Sequence, residues 1–200
     1  MQKSRSRGSG GVRIIGGAWR GRRIKIAPRT SARPTPDRVR ETLFNWLAGR
    51  LAGTRCLDVF AGSGVLGLEA LSRGAYEAWL VERDPALVHV LEEQVATLGA
   101  NARIIQGDAL EVLSEPPGES FNVVFVDPPY DMELTGVLQE LALWVSPDHV
   151  IYVERKAQPG GDPLADLVEV LSGARVMKQG RAGDVAFGLV RLGNDAGALS

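Results

Sequence analysis

Short continuous apolar runs alternate with helically spaced ones along most of this chain. Leu57-Asp58-Val59-Phe60, Ala78-Trp79-Leu80-Val81 and Phe121-Asn122-Val123-Val124-Phe125-Val126 have the length and composition of strands covered on both faces. The spacing predicts strands near 55–60, 76–81, 102–106, 120–126 and 149–154, and helices near 64–73, 85–98, 108–114 and 133–145. Alternation with short connections predicts right-handed βαβ units and a parallel sheet. Gly160, Gly161 and Pro163 mark a loop before a short helix near 164–171. Two further strands are expected near 174–179 and 184–191; the turn Gly180-Arg181-Ala182-Gly183 is too short for a crossover helix, so they pair antiparallel. The expected fold is α/β and Rossmann-like, mostly parallel, with a terminal antiparallel hairpin.

Ahead of this region the pattern changes. Val12–Ile15 and Arg22–Ile26 are short apolar–basic stretches separated by Gly16, Gly17 and Gly21, the signature of a small hairpin presenting Trp19 and arginines. Residues 28–34 read as a loop. Thr35 is placed as an N-cap, with Pro36 at the first helical position and Asp37 in the first turn. Val39, Leu43, Trp46 and Leu47 keep a helical period to about Leu51.

The first long strand runs straight into Phe60-Ala61-Gly62-Ser63-Gly64-Val65-Leu66-Gly67, whose glycines match the spacing G-x-G-x-x-G. A turn of this kind opens a helix, where unpaired N–H groups and the dipole favour an anion. Glycine turns are common in α/β proteins, and a plain strand–helix turn is the bland alternative. Context favours the ligand. Asp58 stands at the strand end, and Glu82 closes the next apolar run 20 residues past Gly62, the spacing at which an acid meets ribose hydroxyls in a doubly wound sheet. An adenosine-bearing cofactor is expected.

The 200 residues suit one catalytic domain with a small extension: a basic leader 1–11 without structure, a basic N-terminal extension 12–52 of hairpin and helix, a catalytic domain 53–192 and a disordered tail 193–200. The lone Cys56 leaves no internal disulfide and fits a reducing compartment, as a small buried apolar residue. No apolar run approaches a membrane span, the N-terminus lacks a signal-peptide core, and a cytoplasmic protein is expected. His89 and His149 have no ligand-spaced partners, so no metal is expected. The net charge of −1 hides a segregation. Residues 1–40 hold 12 Lys and Arg against Asp37 alone, a balance of +11, while the other 160 residues balance at −12. Such a chain reads as a basic arm for a polyanion on an acidic body; a solubilising tail is the alternative for residues 1–11. Arg13, Trp19, Arg20, Arg22, Arg23, Arg33 and Arg38 are the candidate contacts to such a polyanion, a nucleic acid among them.

A second signature follows the fourth strand: Asp127-Pro128-Pro129-Tyr130. Ligands of open α/β sheets lie beyond the carboxyl ends of strands, so this segment shares a crevice with the glycine turn. Two prolines stiffen the chain and remove donors, leaving the Asp127 carboxylate and the Pro128 carbonyl as fixed acceptors for an NH₂ group. Tyr130 offers a face to a planar ring.

Taken together, Phe60-Ala61-Gly62-Ser63-Gly64 and Asp127-Pro128-Pro129-Tyr130 resemble the class I S-adenosylmethionine-dependent methyltransferases of exocyclic amines. More narrowly, Arg13-Ile14-Ile15-Gly16-Gly17, Trp19-Arg20-Gly21-Arg22, Arg33-Pro34-Thr35-Pro36-Asp37-Arg38-Val39-Arg40-Glu41 and Leu66-Gly67-Leu68-Glu69-Ala70-Leu71-Ser72-Arg73-Gly74-Ala75 resemble the RsmD family of bacterial 16S rRNA guanine-N2 methyltransferases. The resemblance covers residues 12–156 well and 173–192 loosely; Pro36 and Val65 are minor departures. It implies a seven-stranded methyltransferase sheet. It also implies that Asp58, Phe60, Ala61, Gly62, Ser63 and Gly64 line the methionine end of S-adenosylmethionine, with Asp127 bordering it. Glu82 would take the ribose hydroxyls, Arg83 would flank the adenine, and Asp108 with the Ala109 N–H would meet its amino edge. Asp127, Pro128, Pro129 and Tyr130 form the catalytic set in this reading. The implied partner is 16S rRNA in an assembling or assembled small ribosomal subunit, and the implied state a monomer.

Three rivals are weighed against this. A DNA adenine-N6 methyltransferase uses the same amine chemistry, but no stretch is long enough for a separate target-recognition domain. An NAD-dependent dehydrogenase leaves the second signature idle. A non-catalytic rRNA-binding assembly factor has no need of the acids Asp58, Glu82, Asp108 and Asp127.

Overall fold

The computed structural model describes residues 11–26, 35–129, 132–157, 164–171 and 173–193. Strands β1 (Gly11–Arg13) and β2 (Arg23–Lys25) pair antiparallel, with Val12 opposite Ile24. This is the expected hairpin, begun at Gly11 within the stretch expected to lack structure. Helix α1 (Asp37–Trp46) starts one residue later than expected: Pro36 occupies the N-cap with no side-chain bond, and Leu47 closes the helix short of Leu51. Thr35 is therefore not the cap, and its hydroxyl bonds elsewhere.

The body continues as β3 (Arg55–Asp58), α2 (Val65–Ser72), β4 (Glu77–Glu82), α3 (Pro85–Leu98), β5 (Ala102–Gln106), α4 (Ala109–Leu113), β6 (Phe121–Val126), α5 (Thr135–Leu141), β7 (Val145–Lys156), α6 (Ala165–Val170), β8 (Arg175–Ala182) and β9 (Val185–Arg191). The sheet order is β5-β4-β3-β6-β7-β9-β8, with β9 antiparallel to both neighbours. The terminal hairpin turns on Gly183-Asp184, tighter than the four-residue turn expected, because Ala182 already pairs with Val185. Helix α3 shows how local chemistry sets an element: Asp84 accepts from the Ala86 N–H at 2.8 Å, Pro85 opens the first turn, and Gly99 ends the helix at φ 61°.

Period-2 alternation sorts the strands onto two cores. Cys56, Val123, Phe125, Val150 and Tyr152 face one side, under α1, α2, α3 and the N-terminal hairpin. Leu57, Val124, Val126, Ile151 and Val153 face the other, under α4, α5 and α6. Burial on both faces explains the unbroken apolar runs. His149 serves structure: neutral, with its pKa lowered chiefly by burial, it donates from Nδ1 to the Ser146 carbonyl at 2.7 Å and accepts the Leu192 N–H at Nε2 at 3.0 Å. Among the described residues, no helix is long and apolar enough to cross a membrane.

The hairpin is bolted to the sheet domain by α2. Glu69, fully buried, accepts from the Ile15 and Gly16 N–H groups at 2.8 and 2.7 Å and from Arg73 Nε at 2.8 Å. Arg40, also fully buried, donates to the Arg13 carbonyl at 3.1 Å and to Asp37 at 2.6 Å, and lies 3.8 Å from Glu69. Gly17 sits so close that a Cβ would meet the Ser72 carbonyl oxygen at 1.8 Å, at a φ of +76° that itself favours glycine. Two motifs distant in sequence, Arg13–Gly17 and Leu66–Ala75, are thus the halves of one joint.

Candidate active site

Four neighbouring parallel strands, β5, β4, β3 and β6, deliver one functional feature each to their carboxyl ends. Asp108 follows β5, Glu82 ends β4, the glycine turn follows β3, and Asp127 follows β6. At about 4.8 Å per strand, the row spans roughly 14 Å. That is the scale of a nucleoside joined to an amino acid.

The turn is built by its neighbours. Gly64 has φ +74°, and a Cβ there would meet Leu91 Cδ2 at 2.5 Å. The Gly62 N–H donates to Glu82 Oε2 at 2.8 Å, while Glu82 Oε1 accepts from the Asp84 N–H at 2.8 Å. Glu82 thereby links turn and neighbouring strand. Asp58 lies beneath, 2% exposed, accepting the Gly67 N–H at 3.2 Å. Burial pushes its carboxyl up to about 7, against the backbone N–H of Gly67 and with added repulsion from Asp127. Asp58 is placed to hold the turn from below. Phe60, Gly62 and Ser63 are half-buried, Ala61 is buried, and Arg83 is exposed past β4. Gln94 of α3, 6% exposed, donates to the Ser63 carbonyl at 3.4 Å. Asp108 caps α4, accepting the Leu110 N–H at 3.0 Å, and Ala109 is buried in that first turn.

Beside β3, at the end of β6, Asp127 is half-buried. Its Oδ2 accepts from the Thr35 hydroxyl at 3.0 Å. Burial raises the carboxyl to about 6, and the Thr35 bond acts the other way. Pro128 is buried and Pro129 exposed, its carbonyl accepting the Met132 N–H at 3.0 Å. Tyr130 and Arg33 lie outside the described residues. Sequence gives Thr35 only the role of a helix cap and gives Glu154 and Tyr152 none, yet all three gather around Asp127. The signal available for Glu154 was a lone acid continuing the alternation of Val150 and Tyr152 on a covered face.

The extension carries its arginines on the outside. Arg13, Arg20, Arg22, Arg23 and Arg38 are exposed. Trp19 is half-buried against the core that α1 covers, so it packs the hairpin more than it displays a ring. Among the described residues, no group of three or more His, Cys, Asp or Glu is arranged to hold a metal ion.

The family model described as conserved hypothetical protein 95 matches residues 12–191, nearly the whole of this architecture. This chain belongs to that family, the RsmD family. Ribosomal RNA small subunit methyltransferase D of Escherichia coli strain K12 is 48% identical over 164 residues, covering 80% of this chain and 82% of that protein. The enzyme of the same name from Haemophilus influenzae is 42% identical over 152 residues, covering 72% and 79%. Among solved structures, yhhF of Escherichia coli superposes with a TM-score of 0.79 at 40% identity, over 92% of this chain and 99% of that one. The seven-stranded sheet of this RsmD-family chain is that of class I methyltransferases.

Proposed function

We propose that this protein transfers a methyl group from S-adenosylmethionine to the exocyclic N2 amino group of a guanine in 16S rRNA. The observation that carries the reading is Asp127, a half-buried carboxylate held by Thr35 at the end of β6, next to the strand that ends in the glycine turn. The cofactor's shape fits the row of strand ends. Asp108 and Ala109 suit the adenine, Glu82 the ribose hydroxyls, and the Gly62–Gly64 turn, supported by Asp58, the methionine end. When bound, S-adenosylmethionine supplies an electrophilic methyl on sulfur. The residues then have to position a poor nucleophile, because an aryl amine's lone pair is delocalised into its ring. Hydrogen bonds from that NH₂ to Asp127 and to the Pro128 carbonyl favour a pyramidal nitrogen and stabilise its developing positive charge. Transfer forms the N–C bond as the S–C bond breaks, and the released N–H proton passes to Asp127 or to water. A base inside helical RNA has to leave its stack, and stacking on Tyr130 at about 1–3 kcal/mol offsets that cost. The exposed arginines of the hairpin and of α1 hold the phosphate backbone.

The substrate class is tested by offering labelled cofactor with 16S rRNA, assembled small subunits and duplex DNA in parallel, followed by nucleoside analysis. N2-methylguanosine in the ribosomal substrates is expected. N6-methyladenine in DNA, or no transfer to any of them, overturns the reading.

A further inference from the structure

Beneath Asp127 lies a run of buried polar groups that the reaction as described does not use. Glu154 and Tyr152, on β7, are 2% and 0% exposed, and Thr35 is 4% exposed. The Tyr152 hydroxyl donates to Glu154 Oε2 at 2.7 Å, and the Thr35 hydroxyl donates to Asp127 Oδ2 at 3.0 Å. The Glu154 carboxyl also reaches the Thr35 hydroxyl. The Thr35 oxygen thus stands between two acids. A buried acid without such partners would be costly, so this chain of contacts calls for a physical account.

The count of protons supplies one. A hydroxyl has one hydrogen to donate and lone pairs to accept with. With its hydrogen directed to Asp127, Thr35 can only accept from Glu154, and Glu154 can donate only when protonated. Among the described residues, the titratable groups whose charge acts on this cluster are Asp127 after β6, Asp58 at the end of β3 and Tyr152 on β7. Burial first, and then the charge of Asp127, push the Glu154 carboxyl up, the direction that favours a protonated donor. With a proton on Glu154, each hydroxyl hydrogen of the chain has an acceptor: Tyr152 donates to Glu154, Glu154 to Thr35 and Thr35 to Asp127.

We propose that protonated Glu154 is a positioning residue for methyl transfer: it donates to Thr35, which fixes the Thr35 hydroxyl on Asp127 Oδ2 and leaves the other oxygen of an ionised Asp127 for the substrate amine. This rests on Asp127 being the amine's acceptor. It adds a residue from β7 and one from the N-terminal extension to a site otherwise built on β3 to β6. It also explains why a charged residue type occupies a covered strand position that an apolar residue would fill at no desolvation cost.

Two measurements separate this from the substrate reading. Infrared spectroscopy of the cofactor-free protein at pH 7 needs no RNA: beside the signal of Asp58, whose carboxyl burial lifts to about 7, a protonated-carboxyl component that is lost in Glu154→Gln and kept in Asp127→Asn is expected, and a spectrum unchanged by Glu154→Gln overturns the assignment. In methyl transfer, Thr35→Val and Glu154→Leu should each lower kcat about 10- to 100-fold, the scale of one hydrogen bond to a charged group, with KM for the cofactor unmoved. Glu154→Gln should recover most of the loss seen in Glu154→Leu, since its amide can still donate to Thr35 and accept from Tyr152. Wild-type kcat in Thr35→Val, or equal damage from Gln and Leu, overturns the proposal. A wild-type protein that shows the Glu154 band but methylates no RNA leaves the hydrogen-bonded chain standing and overturns the substrate reading alone.

Discussion

At the scale of single residues, the protonation of Asp127 governs the chemistry proposed for it. An ordinary aspartate titrates near 4, but burial lifts this one to about 6, and Thr35 holds it from rising further. An acceptor for an amine has to be ionised. The rate of single-turnover transfer should therefore fall with one-proton dependence as pH drops through about 6, about two units above the limb of an exposed aspartate. Removing the hydroxyl in Thr35→Val takes away the group that lowers this pKa, so the limb should move to higher pH. A profile flat down to pH 5 would show that Asp127 does not act as an ionised acceptor. Asp127 itself was legible in sequence, since an acid followed by two prolines at the end of an apolar run announces a rigid, ligand-facing carboxylate. Thr35 was not. Thr-Pro-Asp reads locally as a helix cap, and only the placement of α1 beside β6 turns its hydroxyl to a carboxylate 92 residues away.

At the scale of elements, hydrophobic spacing located each strand and helix of the sheet domain, because parallel strands buried on both faces leave unbroken apolar runs. Boundaries were less legible where pairing, not composition, decides them. β7 was expected from 149 but begins at Val145, because Val145 pairs with Phe121 before a register shift carries Val150 to Val123. Ser146-Pro147-Asp148 within that shift looks like a turn in isolation. The joint between hairpin and α2 was legible only as two motifs of one family; the structure supplies its physics. Arg40, which sequence places among the basic residues at the start of α1, is fully buried beside Asp37 and Glu69. Glu69→Ala would leave two N–H groups without their acceptor, take the counter-charge from Arg73 and leave the buried Arg40 with Asp37 alone. Breaking a buried pair from one side typically costs about 3–5 kcal/mol. Denaturant unfolding of Glu69→Ala should show a loss of that order, accompanied by rapid proteolysis of the hairpin ahead of the sheet domain. A loss within 1 kcal/mol would show that the hairpin is held by its apolar contacts alone.

At the scale of the whole molecule, the segregation of charge acquires a direction. Residues 1–40 balance at +11 and the remainder at −12, so the body repels a phosphate backbone and the extension attracts it. Because Glu69 and Ser72 bond the Ile15–Trp19 backbone to α2, the exposed Arg20, Arg22 and Arg23 are held in a fixed place relative to the strand ends that carry the candidate site. Thr35 extends the same physical link, since it follows the hairpin in the chain and bonds Asp127. On the proposed function, RNA held by this surface is bound to an element fixed relative to the sheet domain. Reversing Arg20, Arg22 and Arg23 to Glu should lower affinity for the small-subunit substrate by orders of magnitude. The slope of log K against log salt should shrink by about 2–3, since each lost phosphate contact releases roughly 0.7–0.9 fewer counterions. Cofactor affinity by calorimetry should not change, because the hairpin turn is bonded to Ser72 at the C-terminal end of α2 and the glycine turn lies at its N-terminal end, and the melting temperature should hold because all three side chains are exposed. Normal binding and methylation by the triple variant at physiological salt would reduce the extension to a structural cover for α2. Recognition would then have to come from the segment that follows Asp127.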